Sequence, residues 1–408
     1  MISLKIQKID KKTFEDFAKL SPINSFYQSS EWLDEKQLEG KKGELLGLYE
    51  DDTLVGVSVV LYLKVLKKYS FAYASRGFLY DYQSVTEFKD ALKDYFSNKF
   101  VIFVKIDPPI ILAYYDKDLN KQLNEDNLKL IDELKENGFK HFGFNMGGEA
   151  YQFRFVHRLT LMDSYEEQLK TMSKSTLKNI EIATSRGVKI KETDDLDLVY
   201  DLFQKTVDRK ELIGFSKNFY KNLIDTFKDK CKMYLVYIDK KIYISNLENE
   251  LKELNKQKED IENEMQRVNV GDKLKKKIEI VNNKIQKNKE QMLECEKLND
   301  ITYIASMMTI TKYDEVSSLT SGMDNDYRAF CPKYVMYPKM IQDAFKDNLK
   351  YVNFLGVRNI FDEFAPSRGV YEVKRGFGGQ TIEYIGEFDL PIKKGLYYIY
   401  KIINKIKR

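Results

Sequence analysis

The most regular pattern of apolar and polar positions lies in residues 244–299, where apolar side chains recur at alternating steps of three and four. These positions are Ile244, Leu247, Leu251, Leu254, Ile261, Met265 and Val268, then Leu274, Ile278, Val281, Ile285, Met292 and Cys295, with Lys258 and Asn288 filling two steps. Between the two runs stands Asn-Val-Gly-Asp at 269–272, a sequence typical of a turn. A heptad seam broken once by turn residues predicts an antiparallel coiled-coil hairpin with arms roughly 37 Å long.

The rest of the chain alternates short strand-like runs with helical ones, which predicts a mixed α/β fold rather than a helical bundle. The order of these runs repeats along the chain. The first half has strand-like runs at 43–50, 53–64, 71–80 and 100–107, with a helix near 87–96 before the last of them. The second half has strand-like runs in the same order at 232–238, 301–312, 317–324 and 351–357, with a helix near 334–345 before the last of them. We therefore expect two related α/β units, the second of them interrupted by the hairpin.

The overall charge is too small to indicate a nucleic-acid-binding protein, because 67 Lys and Arg against 63 Asp and Glu leave a net charge of only +4. Any basic surface must therefore be local. One lies at the predicted hairpin turn, where the basic residues are Arg267, Lys273, Lys275, Lys276 and Lys277. A basic tip is suited to tRNA phosphates, although the same lysines would be ordinary on a solvated helix face and a hairpin can also mediate dimerisation.

Cysteine and histidine usage predicts a reduced, cytoplasmic protein that binds no metal. The three cysteines are far apart and form no CxxC pair, and His141 and His157 have no metal-ligand spacing. The N-terminal residues form no apolar signal core, and no run of 18 apolar residues occurs, so we expect neither export nor a membrane span. Residues 393–408 carry six basic groups and no acidic one among apolar residues. This segment is predicted to form a helix that lies on an anionic membrane or packs an apolar stripe on the protein.

Several positions have side chains suited to chemistry, and each also has a structural interpretation. Lys36 follows Trp32 by one helical turn, where a lysine is either solvated or holds an anion. Asp107 ends a buried-looking strand before two prolines, where it forms a turn or accepts a proton from an attacking amine. Arg209 offers a forked guanidinium to a diphosphate, or pairs with neighbouring Asp208.

Lys374 and Arg375 stand immediately before the glycine-rich residues 376–379. Backbone amides in such a turn bind anions, and Lys374 could stabilise the oxyanion that forms when an ester carbonyl is attacked. The structural alternative is a tight hairpin between two strands.

The order of these motifs resembles that of the FemABX family of cell-wall peptidyltransferases, and the resemblance covers nearly the whole chain. The motifs are FYQSSEWLDEK, a strand ending in KIDP, the helix SKSTLKNI before the strand GVKI, the segment TVDR, the inserted hairpin, the turn TSG followed by YRAFCPKYVMYPKMI, the strand FLGV, and YEVKRGFGG. Two positions depart from the family pattern: Leu177 stands where an arginine is usual, and Val373 where an aromatic residue is frequent.

The resemblance implies two GNAT-like domains, an arm that contacts tRNA, and no cofactor or metal. The domains would comprise residues 1–150 and residues 151–243 with 300–390, leaving 244–299 as the arm and 391–408 as a basic C-terminal helix. The implied reaction moves an amino acid from aminoacyl-tRNA to the stem-peptide amine of a peptidoglycan precursor.

The resemblance also assigns roles to individual residues. Lys36 and Arg209 match residues that hold the precursor phosphates, and Asp107 matches an acid that assists the attacking amine. Lys374 matches a lysine near the acylated end of the tRNA.

Two other functions remain open from the sequence. An acyl-CoA N-acyltransferase would need a phosphate-binding loop that opens a helix, and Gln380 stands where that loop requires Gly or Ala. A coiled-coil adaptor at the membrane would not need Lys36, Asp107, Arg209 and Lys374. The sequence leaves open which amino acid is transferred and whether the acceptor is lipid-linked or nucleotide-linked, although the basic C-terminal segment favours the lipid-linked form.

Overall fold

The computed structural model describes residues 3–66, 68–146, 150–211, 213–267 and 271–406. The strands are β1 (Leu4–Lys8), β2 (Lys42–Glu50), β3 (Thr53–Leu66), β4 (Tyr69–Ala74), β5 (Val101–Ile106), β6 (Ile111–Tyr115), β7 (Lys121–Leu123), β8 (Lys140–His141), β9 (Phe155–Thr160), β10 (Val188–Glu192), β11 (Cys231–Asp239), β12 (Ile301–Lys312), β13 (Glu315–Met323), β14 (Tyr351–Val357), β15 (Gln380–Tyr384) and β16 (Phe388–Pro391). The helices are α1 (Lys11–Leu20), α2 (Ser30–Leu38), α3 (Val85–Ser97), α4 (Glu125–Glu136), α5 (Tyr165–Thr171), α6 (Lys174–Ser185), α7 (Leu196–Arg209), α8 (Lys217–Phe227), α9 (Lys240–Arg267), α10 (Asp272–Glu296), α11 (Lys333–Lys346), α12 (Arg368–Gly376) and α13 (Lys394–Ile406).

The strands form two mixed sheets, which confirms the predicted α/β class. One sheet has seven strands in the order β1-β2-β3-β4-β5-β16-β8, and the other has nine in the order β10-β11-β12-β13-β14-β9-β15-β6-β7. Their buried, β-branched and aromatic residues suit strands that are covered by helices.

The predicted internal repeat is confirmed by strand pairing. Strands β1 to β4 pair antiparallel in sequence and β4 pairs parallel with β5, with α3 in the crossover. Strands β10 to β13 follow the same course, and β13 pairs parallel with β14 across α11. The two halves therefore share one topology, and the helices α9 and α10 are inserted between β11 and β12 of the second half.

Sheet membership departs from the predicted domain boundaries at residues 150 and 390. Strands β6 and β7, at 111–123, pair in the nine-stranded sheet, whereas β16, at 388–391, inserts between β5 and β8 of the seven-stranded sheet. Buried Lys105 of β5 contributes to this exchange, because its Nζ lies 2.9 Å from the carboxylate of Asp389 on β16. Each sheet is therefore completed by chain from the other half.

The two halves pack through a shared apolar core and a small group of ion pairs. Trp32 and Val57 of the first half lie in one cluster with Phe219 and Met308 of the second. At the edge of this core, the Lys312 Nζ lies 2.8 Å from carboxylate oxygens of both Glu15 and Glu31.

The hairpin consists of α9 and α10, whose chain directions are opposed. Asn288 donates to the carbonyl of Leu247 at 3.1 Å, and further out Leu254 packs with Val281 and Ile285. The described seam residues are therefore buried or half-buried, although the helices span 240–267 and 272–296 rather than the predicted 244–299. Val268 and the predicted break at Asn269 and Val270 lie outside the described residues.

Helix α13 begins at Lys394, so the predicted helix 391–408 is shorter at its start. Tyr397 is buried against Phe103 of β5, which confirms that one apolar face packs on the protein. Tyr398, Ile399 and Ile402 remain 54%, 49% and 61% exposed on another face. The helix therefore presents a second, uncovered apolar stripe.

Candidate active site

A cavity of about 650 Å³ lies between the two halves of the protein. Three of the residues singled out in the sequence line it: Lys36 from α2, Arg209 from the end of α7 and Lys374 from α12. Asp107 is not among the lining residues, and neither are the hairpin lysines Lys273, Lys275, Lys276 and Lys277. Strands β4 and β13, which occupy equivalent positions in the repeat, end at this cavity with Ser75, Arg76 and the segment 320–322.

Four cations of the second half converge on one side of the cavity. Arg209 is joined there by Lys210, by Lys333 at the start of α11 and by Lys374. Burial together with the charges of Lys210, Arg209 and Arg328 lowers the pKa of Lys333 to about 8. Within the described ranges, Arg209, Lys210 and Lys333 have no carboxylate partner within ion-pair distance, so they form an uncompensated positive site suited to phosphate.

Lys374 lies deepest in this group and is held by backbone carbonyls. Its Nζ donates to the Gly356 carbonyl at 2.8 Å and to the Leu355 carbonyl at 3.4 Å. These carbonyls are presented by an irregular stretch of β14, where the register with β9 shifts and Leu355 adopts φ +56°. Burial, followed by the charges of Lys333 and Lys210, lowers the pKa of Lys374 to about 7. The lysine is thus poised between its charged and neutral forms.

Lys36 differs because its charge is already balanced. Its Nζ lies 2.9 Å from Glu35 and 3.1 Å from Glu39, and between the rings of Trp32 and Phe219 at 4.4 and 4.7 Å from their centroids. Burial raises the pKa of Glu35 to about 7, while the Lys36 charge opposes that rise. The predicted position of Lys36 beside Trp32 is confirmed, and the structure adds two carboxylates that compete with any bound anion.

Asp107 lies behind the cavity wall rather than in it. Its carboxylate accepts from the Tyr73 hydroxyl at 2.8 Å and from the Arg76 backbone amide at 2.6 Å, and the residue is 1% exposed. Burial is the main cause that raises the pKa of Asp107 to about 7; the Arg76 charge opposes it and Glu387 adds to it. Tyr73 does line the cavity, so Asp107 is linked to the cavity through a residue to which it is hydrogen-bonded.

Glu315, a cavity-lining carboxylate at the start of β13, was not indicated by the sequence pattern. It accepts from Asn353 at 3.0 Å and from Ser317 at 3.1 Å, and Arg158 lies 3.9 Å away. Burial raises the pKa of Glu315, and the Arg158 charge opposes the rise. Lys210 and Lys333 were not indicated by the sequence either, because they come from distant segments that only the folded chain brings together.

The glycine-rich segment does not form the hairpin that was the structural alternative. Residues 368–376 are helical, so the glycines join α12 to strand β15 rather than connecting two strands. They do not line the cavity, and they permit close packing: a Cβ on Gly379 would lie 2.5 Å from the Arg158 carbonyl, and one on Gly376 would lie 2.3 Å from the Thr176 hydroxyl. Anion binding by the backbone amides of this turn stays a prediction.

The motif around Gln28 is structural as well. The Gln28 side chain donates to the Ser75 carbonyl at 2.7 Å and accepts from the Val59 amide at 2.7 Å. It thereby fixes the cavity-lining turn that follows β4. Ser29 caps α2 by accepting from the Trp32 amide at 3.2 Å, which places Lys36 at the end of that helix.

The hairpin lysines Lys273, Lys275, Lys276 and Lys277 are all exposed in the first turns of α10. Among the described residues, no cluster of side chains is arranged to hold a metal ion. In the same part of the chain, no helix combines the length and apolar character needed to cross a membrane.

The fold is shared with a solved crystal structure. The crystal structure of FemX superposes with a TM-score of 0.74 at 24% sequence identity, covering 97% of this chain and 99% of that one. This likeness extends over both halves and establishes the fold class, including the paired α/β units predicted from the sequence.

The family follows from sequence. Residues 9–405 match the FemAB family, and the chain belongs to that family. The Aminoacyltransferase FemA of Staphylococcus epidermidis is 27% identical, covering 99% of this chain and 100% of that protein. The FemA of Staphylococcus aureus is also 27% identical, with 99% of each chain covered. The predicted resemblance and the prediction of an aminoacyltransferase are confirmed.

Proposed function

We propose that the protein transfers an amino acid from aminoacyl-tRNA to the stem-peptide amino group of a peptidoglycan precursor, to build an interpeptide branch or bridge. The uncompensated group of Arg209, Lys210, Lys333 and Lys374 in the cavity carries this proposal. Both proposed substrates are anionic, through the phosphates of the tRNA end and the diphosphate of the precursor. Cations held together at a cost in mutual repulsion are stabilised when such phosphates bind.

The chemistry requires an oxyanion stabiliser and a proton acceptor. When the acceptor amine attacks the ester carbonyl, the carbonyl oxygen gains negative charge, and the buried Lys374 ammonium is placed to offset it. The amine loses a proton as the new amide bond forms, and the ester bond breaks to release the ribose oxygen, which takes up a proton and leaves as a hydroxyl. Asp107 accepts the amine proton through Tyr73, a cavity-lining residue whose hydroxyl donates to Asp107, and the same pair returns it to the ribose oxygen.

Glu315 supports a second route for the same proton, because this residue, unlike Asp107, itself lines the cavity. Matched substitutions distinguish the two proton routes. Asp107→Asn and Tyr73→Phe lower transfer together if the relay operates, whereas Glu315→Gln lowers it alone if Glu315 is the acceptor.

The hairpin supplies the remaining contact with tRNA in this proposal. Lys273, Lys275, Lys276 and Lys277 are exposed on one end of the arm, where they can meet phosphates without desolvating buried groups. Arg209 binds the precursor phosphates, and Lys36 contacts them more weakly because Glu35 and Glu39 already balance its charge. No cofactor is needed because the aminoacyl ester is already activated.

We also propose that the protein works in the cytoplasm at the inner face of the membrane. The exposed Tyr398, Ile399 and Ile402 on α13 support contact with anionic lipid, since basic residues flank them. Ile399→Asp with Ile402→Asp should abolish flotation with anionic liposomes. Equal flotation of the variant and the parent protein would exclude this surface.

The test of the main proposal is transfer of radiolabel from a pool of charged tRNAs to lipid-linked and nucleotide-linked pentapeptide precursors. We expect label on one acceptor from one amino acid, and loss of that label in Lys374→Ala. Folded protein that transfers no label from any charged tRNA would favour the adaptor function instead. An acyl-CoA donor is disfavoured because the glycines of 376–379 end a helix rather than opening one.

A further inference from the structure

A second cavity, of about 630 Å³, opens beside the reaction cavity and is mostly apolar. We call it the apolar cleft. Its walls come from the end of α1, the start of β3, the segment after β4, strand β6 and helix α4. Its apolar lining includes Phe17, Leu20, Ile23, Val55, Ile111 and Leu130.

The apolar cleft adjoins the reaction cavity. Pro22, Ile23 and Ile111 line both cavities, so the two are separated by no more than these side chains. A molecule in the cleft would therefore lie next to one that occupies the reaction cavity. This adjacency favours a part of the substrate over an unrelated ligand.

Part of the polar lining of the cleft is already used within the protein. Asn124 Oδ1 accepts from the Asn127 amide at 3.0 Å, and Asn127 Nδ2 donates to the Ile111 carbonyl at 2.8 Å. Among the described residues that line the cleft, the single charged one is Asp81, whose carboxylate accepts from the Gln83 amide at 3.2 Å. This lining contains no lysine or arginine, so it is unsuited to phosphate, whereas its apolar majority suits a hydrocarbon chain.

We infer that the apolar cleft binds the isoprenoid chain of a lipid-linked acceptor while the sugar, peptide and phosphates of that acceptor occupy the reaction cavity. The inference rests on the proposed function and specifies its acceptor as lipid-linked. Burying apolar carbons of the chain against these side chains removes them from water and strengthens binding of the lipid-linked form. A nucleotide-linked acceptor would leave the cleft empty.

The test compares acceptors that share one sugar-pentapeptide diphosphate and differ only in the group attached to its terminal phosphate: uridine, a geranyl, a farnesyl or an undecaprenyl chain. In the parent protein we expect KM to fall as the chain lengthens. Leu20→Asp should raise the KM of the farnesyl acceptor by about tenfold and leave that of the uridine acceptor unchanged. Leu20 is 83% exposed, so the substitution should not disturb folding.

Met162→Asp is the matched control, because Met162 is 47% exposed and lines neither cavity. It should leave every KM unchanged. A KM that is independent of chain length, with equal values in Leu20→Asp, would overturn the inference and leave the proposed function intact. Absence of transfer to any acceptor would instead reject the proposed function.

Photo-crosslinking gives a second readout that does not need turnover. A farnesyl diphosphate with a diazirine at its distal end should label peptides from α1, β6 or α4 in the parent protein, and less so in Leu20→Asp. Labelling confined to α13 would assign the chain to the membrane-facing stripe and overturn the inference.

Discussion

The two basic regions of the reaction cavity differ in whether their charge is balanced. Lys36 lies between two carboxylates and two aromatic rings, so its charge is satisfied in the empty protein. Burial disfavours the charged forms of Lys210, Lys333 and Lys374, and the charges of neighbouring cations add to this effect, so the pKa of each is lowered. The comparison teaches that proximity to a cavity does not by itself make a cation a ligand-binding group. The unsatisfied region should bind the anion more strongly.

The largest effect is expected from Lys374→Ala. Removing a donor that acts on the developing oxyanion should lower kcat/KM by about a hundredfold to a thousandfold. Thermal unfolding of the same variant should show no loss of stability, because the change also removes a buried, repelled charge. A parallel loss of melting temperature and activity would contradict a role in the reaction.

The pH dependence of kcat/KM should report the ionisation of Asp107 and of Lys374, which belongs to the unsatisfied region. Asp107, with a pKa of about 7, must be deprotonated to accept a proton, so activity rises as pH increases through that value. Lys374, also with a pKa of about 7, must be charged, so activity falls as pH rises further. The result is a narrow bell centred near neutral pH. Asp107→Asn should remove the acid limb of this pH profile. Lys374→Arg should move its alkaline limb to higher pH.

Lys333→Met should have an intermediate effect with two signatures. Loss of a phosphate contact should raise KM for the precursor by about tenfold. Loss of a repelling charge should also raise the pKa of Lys374, so the alkaline limb shifts to higher pH. Lys339→Met, on the same helix but paired with Asp343, is the control and should leave the profile unchanged. An increase in KM without a shift of the alkaline limb of the pH profile would show that Lys333 does not influence the pKa of Lys374.

The smallest kinetic effect is expected from Lys36→Met, because the carboxylates of Glu35 and Glu39 already balance the charge of Lys36. We expect KM for the precursor to change by no more than about threefold. Glu39→Gln should partly free Lys36 and lower that KM. A hundredfold loss in Lys36→Met would show that phosphate displaces the carboxylates and would remove the distinction between the two regions.

The sequence predicted local periodic features and missed those made by distant segments. The hairpin seam and the duplicated order of elements are periodic, so apolar spacing and strand order were sufficient to find them. The position of Asp107 behind Tyr73 was not accessible, because residues 34 positions apart form that contact. The sequence indicated Arg209 and Lys374 of the cationic group but not Lys210 and Lys333, because Lys333 approaches Lys374 only through folding. The pattern around Lys374 also suggested a loop where a helix forms.

The exchange of strands between the halves constrains how the protein can be made on the ribosome. Strand β5 emerges early, but its partner β16 lies far downstream, beyond the whole of the second half. Until residues 388–391 leave the exit tunnel, one edge of the first sheet has unpaired backbone groups that invite association with other chains. Synthesis that stalls after the hairpin should therefore yield nascent chains that need chaperones, and activity should appear only after β16 has been translated.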